Sequence, residues 1–170
     1  MNVIEAIRKR KSVRNFLDIP VENEKMAQIL EAARLAPSAF NRQVWRFIII
    51  SKKKTKKKLI EIAKIPSFVE KAPVVLIACA KTDSCIMRYG QPCYPVDVAI
   101  ALDHITLAAV DQGLGSCWIG KYDEKKVKEI LGIPEEIRVI AVMPLGYHSD
   151  NLPIDKKRLP LDQIVKYDNW

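Results

Sequence analysis

The sequence predicts an α+β fold, a central sheet wrapped by helices around one buried helix, and three observations carry that prediction. Residues 73–80, PVVLIACA, form a continuous apolar run, the mark of a strand covered on both faces. Residues 96–112, VDVAIALDHITLAAVDQ, are apolar nearly all round over helical length, which places a helix at the centre. Between and around these two segments, strand and helix patterns alternate without an internal repeat, a low-complexity linker or a shift in composition. The 170 residues are therefore expected to form one domain spanning 1–170, long enough for a substantial core.

The elements follow in order. Asn2 is placed to cap a first helix, with Glu5 three residues on as in a capping box and Val3, Ile4 and Ile7 as the apolar stripe. A second helix is expected from about Glu24 to Leu35, with Met26, Ile29, Leu30 and Ala33 on one face. It must end near Ala36, because Pro37 disfavours the α region in the residue before it. A strand over Phe47–Ile50 comes next, and then a lysine-rich segment, Lys52–Lys58, that runs into a helical pattern at Leu59, Ile60, Ile62 and Ala63. After the apolar strand and the central helix, Gly113 is a natural helix stop. SCWI (116–119) reads as a short strand, Asp123–Leu131 as an amphipathic helix closed by Gly132, and IRVIAVMPLG (137–146) as a buried strand. Beyond Tyr147 the periodicity fades, and a tail this long needs a docking surface, for which a partner subunit is one candidate.

Composition narrows the function classes. No apolar run approaches the roughly 20 residues of a membrane span. The opening MNVIEAIRKRK lacks the uninterrupted apolar core of a signal peptide. A cytoplasmic protein with no membrane partner is the expectation. The net charge of +8 and pI of about 9.3 raise nucleic-acid binding. The basic residues, however, fall in three separate places: Arg8–Arg14, Lys52–Lys58 and the DKKRL stretch near the C-terminus. Aromatics are only 7%, too few for base-stacking platforms, and no nucleic-acid motif occurs, so no nucleic-acid partner is expected. The middle lysine run reads as a solvated helix face. The four cysteines show no zinc-type spacing: Cys79 and Cys117 read as reduced core residues, while Cys85 and Cys93 lie in a loop-like stretch and could line a site.

Three clusters carry chemistry. In RKSVR, an extended chain would turn Arg10, Ser12 and Arg14 to one side, two forked donors around a hydroxyl, which suits a phosphate ester. The segment follows the C-terminus of a helix, so side chains and not a helix dipole would have to hold an anion there. Lys156 and Arg158 repeat the alternate spacing and could converge on the same phosphate if the tail folds back; the alternative is plain surface charge. In APSAFNRQVWRFIII (36–50), Asn41 and Gln43 offer paired amides and Pro37, Ser38 and Ala39 a stiff turn of small residues, fit for the edge of a planar heterocycle. The competing reading is a turn whose amides cap backbone groups. His104, beside Asp103 in the central helix, reads as an interior or interface residue; His148 lies in a loop. No Ser/His/Asp arrangement or metal spacing occurs.

Three blocks in order, RKSVRNF (10–16), APSAFNRQVWRFII (36–49) and AAVDQGLGSCWIG (108–120), resemble the nitroreductase family of flavoproteins, and MPLGYHS and the late DKKRLP fit its closing strand and tail. The resemblance covers nearly the whole chain. It implies the nitroreductase-like fold: a mixed central sheet, a long central helix and a C-terminal tail reaching the partner subunit of a homodimer. It further implies FMN at the subunit interface, NADH or NADPH as reductant, and ping-pong delivery to a small acceptor such as a nitroaromatic or quinone. Specialised flavin chemistry, namely flavin remodelling, reductive dehalogenation or dehydrogenation, is the alternative on the same fold. Carried over by position, Arg10, Lys11, Ser12 and Arg14 match phosphate and ribityl-side contacts, joined by Lys156 and Arg158. Pro37, Ser38, Ala39 and Asn41 match ring contacts from the partner chain, Gln43 a position near the ring or ribityl chain, and Ile119 and Gly120 the backbone facing the flavin. Two departures stand out. Val44 replaces the usual proline, and Ile119 stands where longer members carry an acidic residue, which would leave backbone-only contacts to the flavin N5 region. The chain is also short for the family, with any cover over the active site reduced to the 84–95 region.

Overall fold

The computed structural model describes residues 1–149 and 156–170. Four strands, β1 (Trp45–Ile50), β2 (Val74–Lys81), β3 (Gly115–Ser116) and β4 (Ile137–Gly146), form a sheet in the order β1-β2-β4-β3. The named strands pair antiparallel, and parallel character is confined to a single bridge from Ser12 to Ser116. The α+β prediction holds, with the mixed character of the sheet reduced to that bridge.

Strand alternation divides the core in two. On β2, Leu76, Ala78 and Ala80 face one side with Trp45 of β1 and Met143 of β4; against them pack Ile29 and Ala33 of α2 (Asn23–Arg34) and the buried face of α4 (Tyr94–Asp111). Val75, Ile77 and Cys79 face the other side, covered by Leu59 and Ala63 of α3 (Lys53–Ala63) and Val127 of α5 (Glu124–Leu131). The sheet is thus the middle layer of three, which is why β2 is buried along its whole length up to Ala80. A register shift between Ala78 and Cys79 leaves one extra residue on β4, so Ile140 and Ala141 both face the α4 side. Leu102, Ile105 and Ala109 fix α4 as the buried helix that the sequence predicts.

Four expectations need correction. Asn2 and Glu5 do form the capping box of α1 (Val3–Lys9), but Val3, Ile4 and Ile7 are exposed and only Ala6 is buried. The stripe exists, yet nothing among the described residues covers it. The lysine run is not a uniformly solvated face: Lys56 is 2% exposed and donates to the carbonyls of Ala72 at 2.6 Å and Glu70 at 3.2 Å. Burial lowers its pKa, since the charged form gives up water for two carbonyl dipoles. The SCWI strand shrinks to Gly115–Ser116, with Ile119 rejoining β4 by a bridge to Val142. Cys85 and Cys93, read as loop residues that could line a site, are both buried. The tail carries one short helix, α6 (Leu161–Ile164), and its residues 157–170 are exposed throughout. No described helix is long and apolar enough to cross a membrane.

Candidate functional site

The chain after α1 is extended, as its residues predict. Val13 is buried at 1% and its N–H donates to the Ser116 carbonyl at 2.9 Å, while Ser12 and Arg14 are exposed on the other side and Arg10 is half-buried. Gly115 permits this close docking, because a Cβ there would collide with the Val13 side chain. The tail does fold back: Lys156 Nζ donates to the Ile7 carbonyl at 2.5 Å, at the end of α1. Burial lowers the Lys156 pKa, and the positive charges of Arg10 and Arg158 lower it further, so the tail's basic pair lies within electrostatic reach of Arg10. Residues 150–155, including Asp155 of DKKRLP, lie outside the described residues. Among the described residues, no acid forms an ion pair with Arg10, Arg14, Lys156 or Arg158. Lys11 is half-buried in the same segment. Cys117 borders the cluster from below. Burial pushes its thiol up, and Arg14, then Ser12 and Arg10, pull it back.

The turn before β1 is built differently. Phe40, Asn41 and Gln43 all adopt the left-handed region, at φ of 51°, 54° and 50°. Such backbone persists only where the surroundings over-determine it. Here Ser38 Oγ accepts the Gln43 N–H at 2.9 Å, Gln43 Nε2 donates to the Asn41 carbonyl at 3.0 Å, and Asp97 Oδ1 accepts the Ala39 N–H at 2.9 Å. Arg42 is tied by its Nε to Asp83 Oδ2 at 2.6 Å, an ion pair that raises the guanidinium pKa. A cleft of about 340 Å³ opens beside the turn, lined by Arg42, Gln43, Val44, Arg46, Lys81 and Asp83. The capping reading is right for Gln43, whose amide serves the backbone; Asn41 remains exposed, and Phe40 is 91% exposed. Pro37 is exposed, and Ser38 and Ala39 are half-buried.

Ile119 and Gly120 divide their tasks. The Ile119 side chain packs into the core on the α3–α5 side, while its backbone exchanges two hydrogen bonds with Val142, at 2.9 and 3.0 Å. Gly120 is exposed, with open space where a Cβ would stand. His104, half-buried, sits with Nδ1 3.2 Å from the Ala32 carbonyl, the structural role read for it.

The two clusters do not meet within the chain. The turn enters β1 at one edge of the sheet, level with Ala80; Ser12 pairs with Ser116 at the opposite edge, level with Val74. Three strand spacings of ~4.8 Å and six residues of ~3.3 Å separate these corners by roughly 25 Å, farther than one mononucleotide reaches.

Sequence reasoning missed Asp97, 4% exposed, whose Oδ2 has no partner among the described residues while Oδ1 anchors the turn. A single acid in the first turn of a largely apolar helix was the available signal. The Arg42–Asp83 pair had none, because its partners are 41 residues apart.

The profile of the nitroreductase family matches residues 7–81 and 63–147. The chain is 36% identical over 151 residues to a protein of Archaeoglobus fulgidus, provisionally named an NADH dehydrogenase/NAD(P)H nitroreductase, covering 86% of each. It is 29% identical to the FMN reductase [NAD(P)H] of Bacillus subtilis, covering 95% of this chain and 72% of that one. Its fold superposes on the crystal structure of a nitroreductase family protein of Clostridium difficile 630 with a TM-score of 0.87 and 31% identity over the full length of both.

Proposed function

The chain belongs to the nitroreductase family, and from that premise we propose that it is an FMN-dependent oxidoreductase working as a homodimer. It passes reducing equivalents from NADH or NADPH to a small acceptor, a nitroaromatic or quinone, in ping-pong order. The observation that carries this reading is the return of Lys156 to the end of α1, which sets Lys156 and Arg158 beside Arg10, with Arg14 on the same extended segment, and no acid among the described residues pairs with any of the four. Uncompensated forked donors around the Ser12 hydroxyl fit a phosphate dianion.

Arg10, Lys11, Ser12 and Arg14, with Lys156 and Arg158, hold the phosphate and ribityl side. Pro37, Ser38, Ala39 and Asn41 of the second copy address the ring, with Gln43 fixing the turn from within. The Gly120 backbone, free of any side chain, lets the ring approach, and Ile119 anchors that backbone to β4. The separation of roughly 25 Å between the corners supports dividing each site between two chains. So do the exposed apolar side chains of α1 and the tail, Val3, Ile4, Leu161 and Trp170 among them. Bound FMN supplies the two-electron carrier that links nicotinamide to acceptor. The chain's own part is to bind, orient and shield it.

The test is an absorbance spectrum of the purified protein, then FMN titration of the stripped protein and a panel of acceptors with NADH and NADPH. Flavin bands and saturable uptake are expected; a colourless protein that takes up no FMN sinks the reading. Negligible turnover with every simple acceptor, in a protein that holds FMN, shifts the reading to specialised flavin chemistry. Arg14→Ala is expected to weaken FMN binding by about 10- to 100-fold, the loss of a charge-assisted hydrogen bond, with Tm nearly unchanged because Arg14 is exposed.

A further inference from the structure

Between β2 and α4 the chain makes a small hairpin that the FMN reading does not use. Ile86 and Pro92 form an antiparallel bridge, the Met87 N–H donates to the Gln91 carbonyl at 2.8 Å, and the Cys93 N–H donates to the Cys85 carbonyl at 3.0 Å. Cys85 and Cys93 are therefore the next cross-strand pair on this hairpin. Opposed residues of such a pair hold their Cα atoms about 5.5 Å apart, inside the range a disulfide spans without backbone movement. The side chains have already turned together, with the two Sγ atoms 2.8 Å apart in a thiol–thiol hydrogen bond. The remaining cysteines, Cys79 and Cys117, are buried on the far side of the sheet and face no second thiol among the described residues.

We propose that Cys85 and Cys93 are a site of reversible disulfide formation, closing the 85–93 hairpin into a covalent ring. The oxidant is a low-molecular-weight disulfide. Cys85, the more accessible at 9%, attacks one of its sulfurs as the thiolate, expelling one small thiol and leaving a mixed disulfide. Cys93 then loses its proton to solvent, and its sulfur attacks Cys85 Sγ, expelling the second small thiol. The pair gives up two electrons and two protons, and the small disulfide leaves as two thiols. A dithiol reductant reverses both steps. In the reduced state the shared hydrogen bond, then burial, pushes the Cys93 thiol up to about 11, so Cys93 keeps its proton until Cys85 has reacted.

The hairpin adjoins both anchors of the strained turn. Asp83, two residues before Cys85, holds Arg42 and also accepts the Cys85 N–H at 3.0 Å; Asp97, four residues after Cys93, holds Ala39. A ring closed between these anchors stiffens the ground on which the turn stands.

The experiment is intact-mass and peptide-mass analysis after equilibrating the folded protein in graded mixtures of reduced and oxidised glutathione, followed by unfolding and alkylation. Under oxidising conditions the alkyl uptake is expected to fall from all four cysteines to half that number. A peptide pair linked through Cys85 and Cys93 should appear, lighter by two hydrogens, and dithiothreitol should restore full uptake. Cys85→Ser should leave the remaining cysteines alkylatable, whereas Cys93→Ser, with no resolving thiol, should accumulate the glutathione adduct on Cys85 that the wild-type protein does not retain. Full uptake by the wild-type protein in the most oxidising mixture overturns the proposal. So does a stable glutathione adduct on Cys85, or a link that maps to Cys79, Cys117 or another chain.

Discussion

In the proposed site, the two corners of the sheet would recognise FMN by opposite means. At the β3 edge, Arg10, Ser12 and Arg14 stand on a relaxed extended chain whose only special requirement is the close approach of Gly115 to Val13. The information lies in exposed or half-buried charge that no acid among the described residues neutralises. At the β1 edge, the turn 37–43 carries its information in the backbone. Three non-glycine residues are held in the left-handed region by Ser38, Gln43 and a buried carboxylate from another element. Holding a phosphate needs strong donors whose geometry adapts on contact. Presenting a surface to a flat ring, the role proposed for this turn, needs a shape that does not adapt, and here the shape is held by local side chains and the buried Asp97.

The comparison can be broken first by removing the phosphate from the ligand. Riboflavin is expected to bind at least ~100-fold more weakly than FMN at low salt, given two or more charge-assisted contacts of about 1.5–3 kcal/mol each. The advantage of FMN should shrink as ionic strength rises, because the cationic cluster is open to solvent. Fluorescence titration reads both, and equal affinities would remove the phosphate assignment. At the other corner, Asp97→Ala strands the Ala39 N–H and should lower unfolding free energy by about 1–3 kcal/mol. Urea denaturation measures it, and the salt dependence of FMN binding should stay as in wild type.

A smaller effect sharpens the electrostatic half. Burial and the nearby Arg10 and Arg158 lower the Lys156 pKa, so its charge is present at neutral pH and is lost, as pH rises, earlier than for an ordinary lysine. FMN affinity should decline by up to ~10-fold as pH rises into the alkaline range, starting below the ordinary lysine pKa of about 10.4, and Lys156→Arg should abolish that decline. A flat profile in the wild type would separate Lys156 from the anion site. The smallest effect tests stored strain. Phe40→Gly relieves a φ of 51° at a side chain that is 91% exposed, and should raise unfolding free energy by about 0.5–1 kcal/mol. A loss would show that Phe40 is packed in the assembled protein.

Much of this was legible in the chain. The apolar run of β2 and the all-round apolar α4 announce the buried layers, since burial on both faces leaves no room for alternation. Asn2 with Glu5, and Gly132 after α5, mark helix ends by local chemistry that needs no tertiary partner. The alternate spacing of Arg10, Ser12 and Arg14 survives because an extended strand keeps its period wherever it docks.

What the chain could not state is anything that depends on two distant segments meeting. Lys56 looks like its lysine neighbours until Glu70 and Ala72 bring carbonyls to it, and Val3, Ile4 and Ile7 look like a core stripe until the fold leaves them uncovered. Asp97 becomes an anchor only once α4 lies under the turn, and Cys85 meets Cys93 only once the hairpin closes. Local sequence determined the elements, their caps and the sign of the charge at each corner, because propensity, capping and alternation act within a few residues. Tertiary structure alone decided which polar groups lose water, which backbone is held under strain, and that the two clusters of the proposed site stand at opposite corners of one sheet.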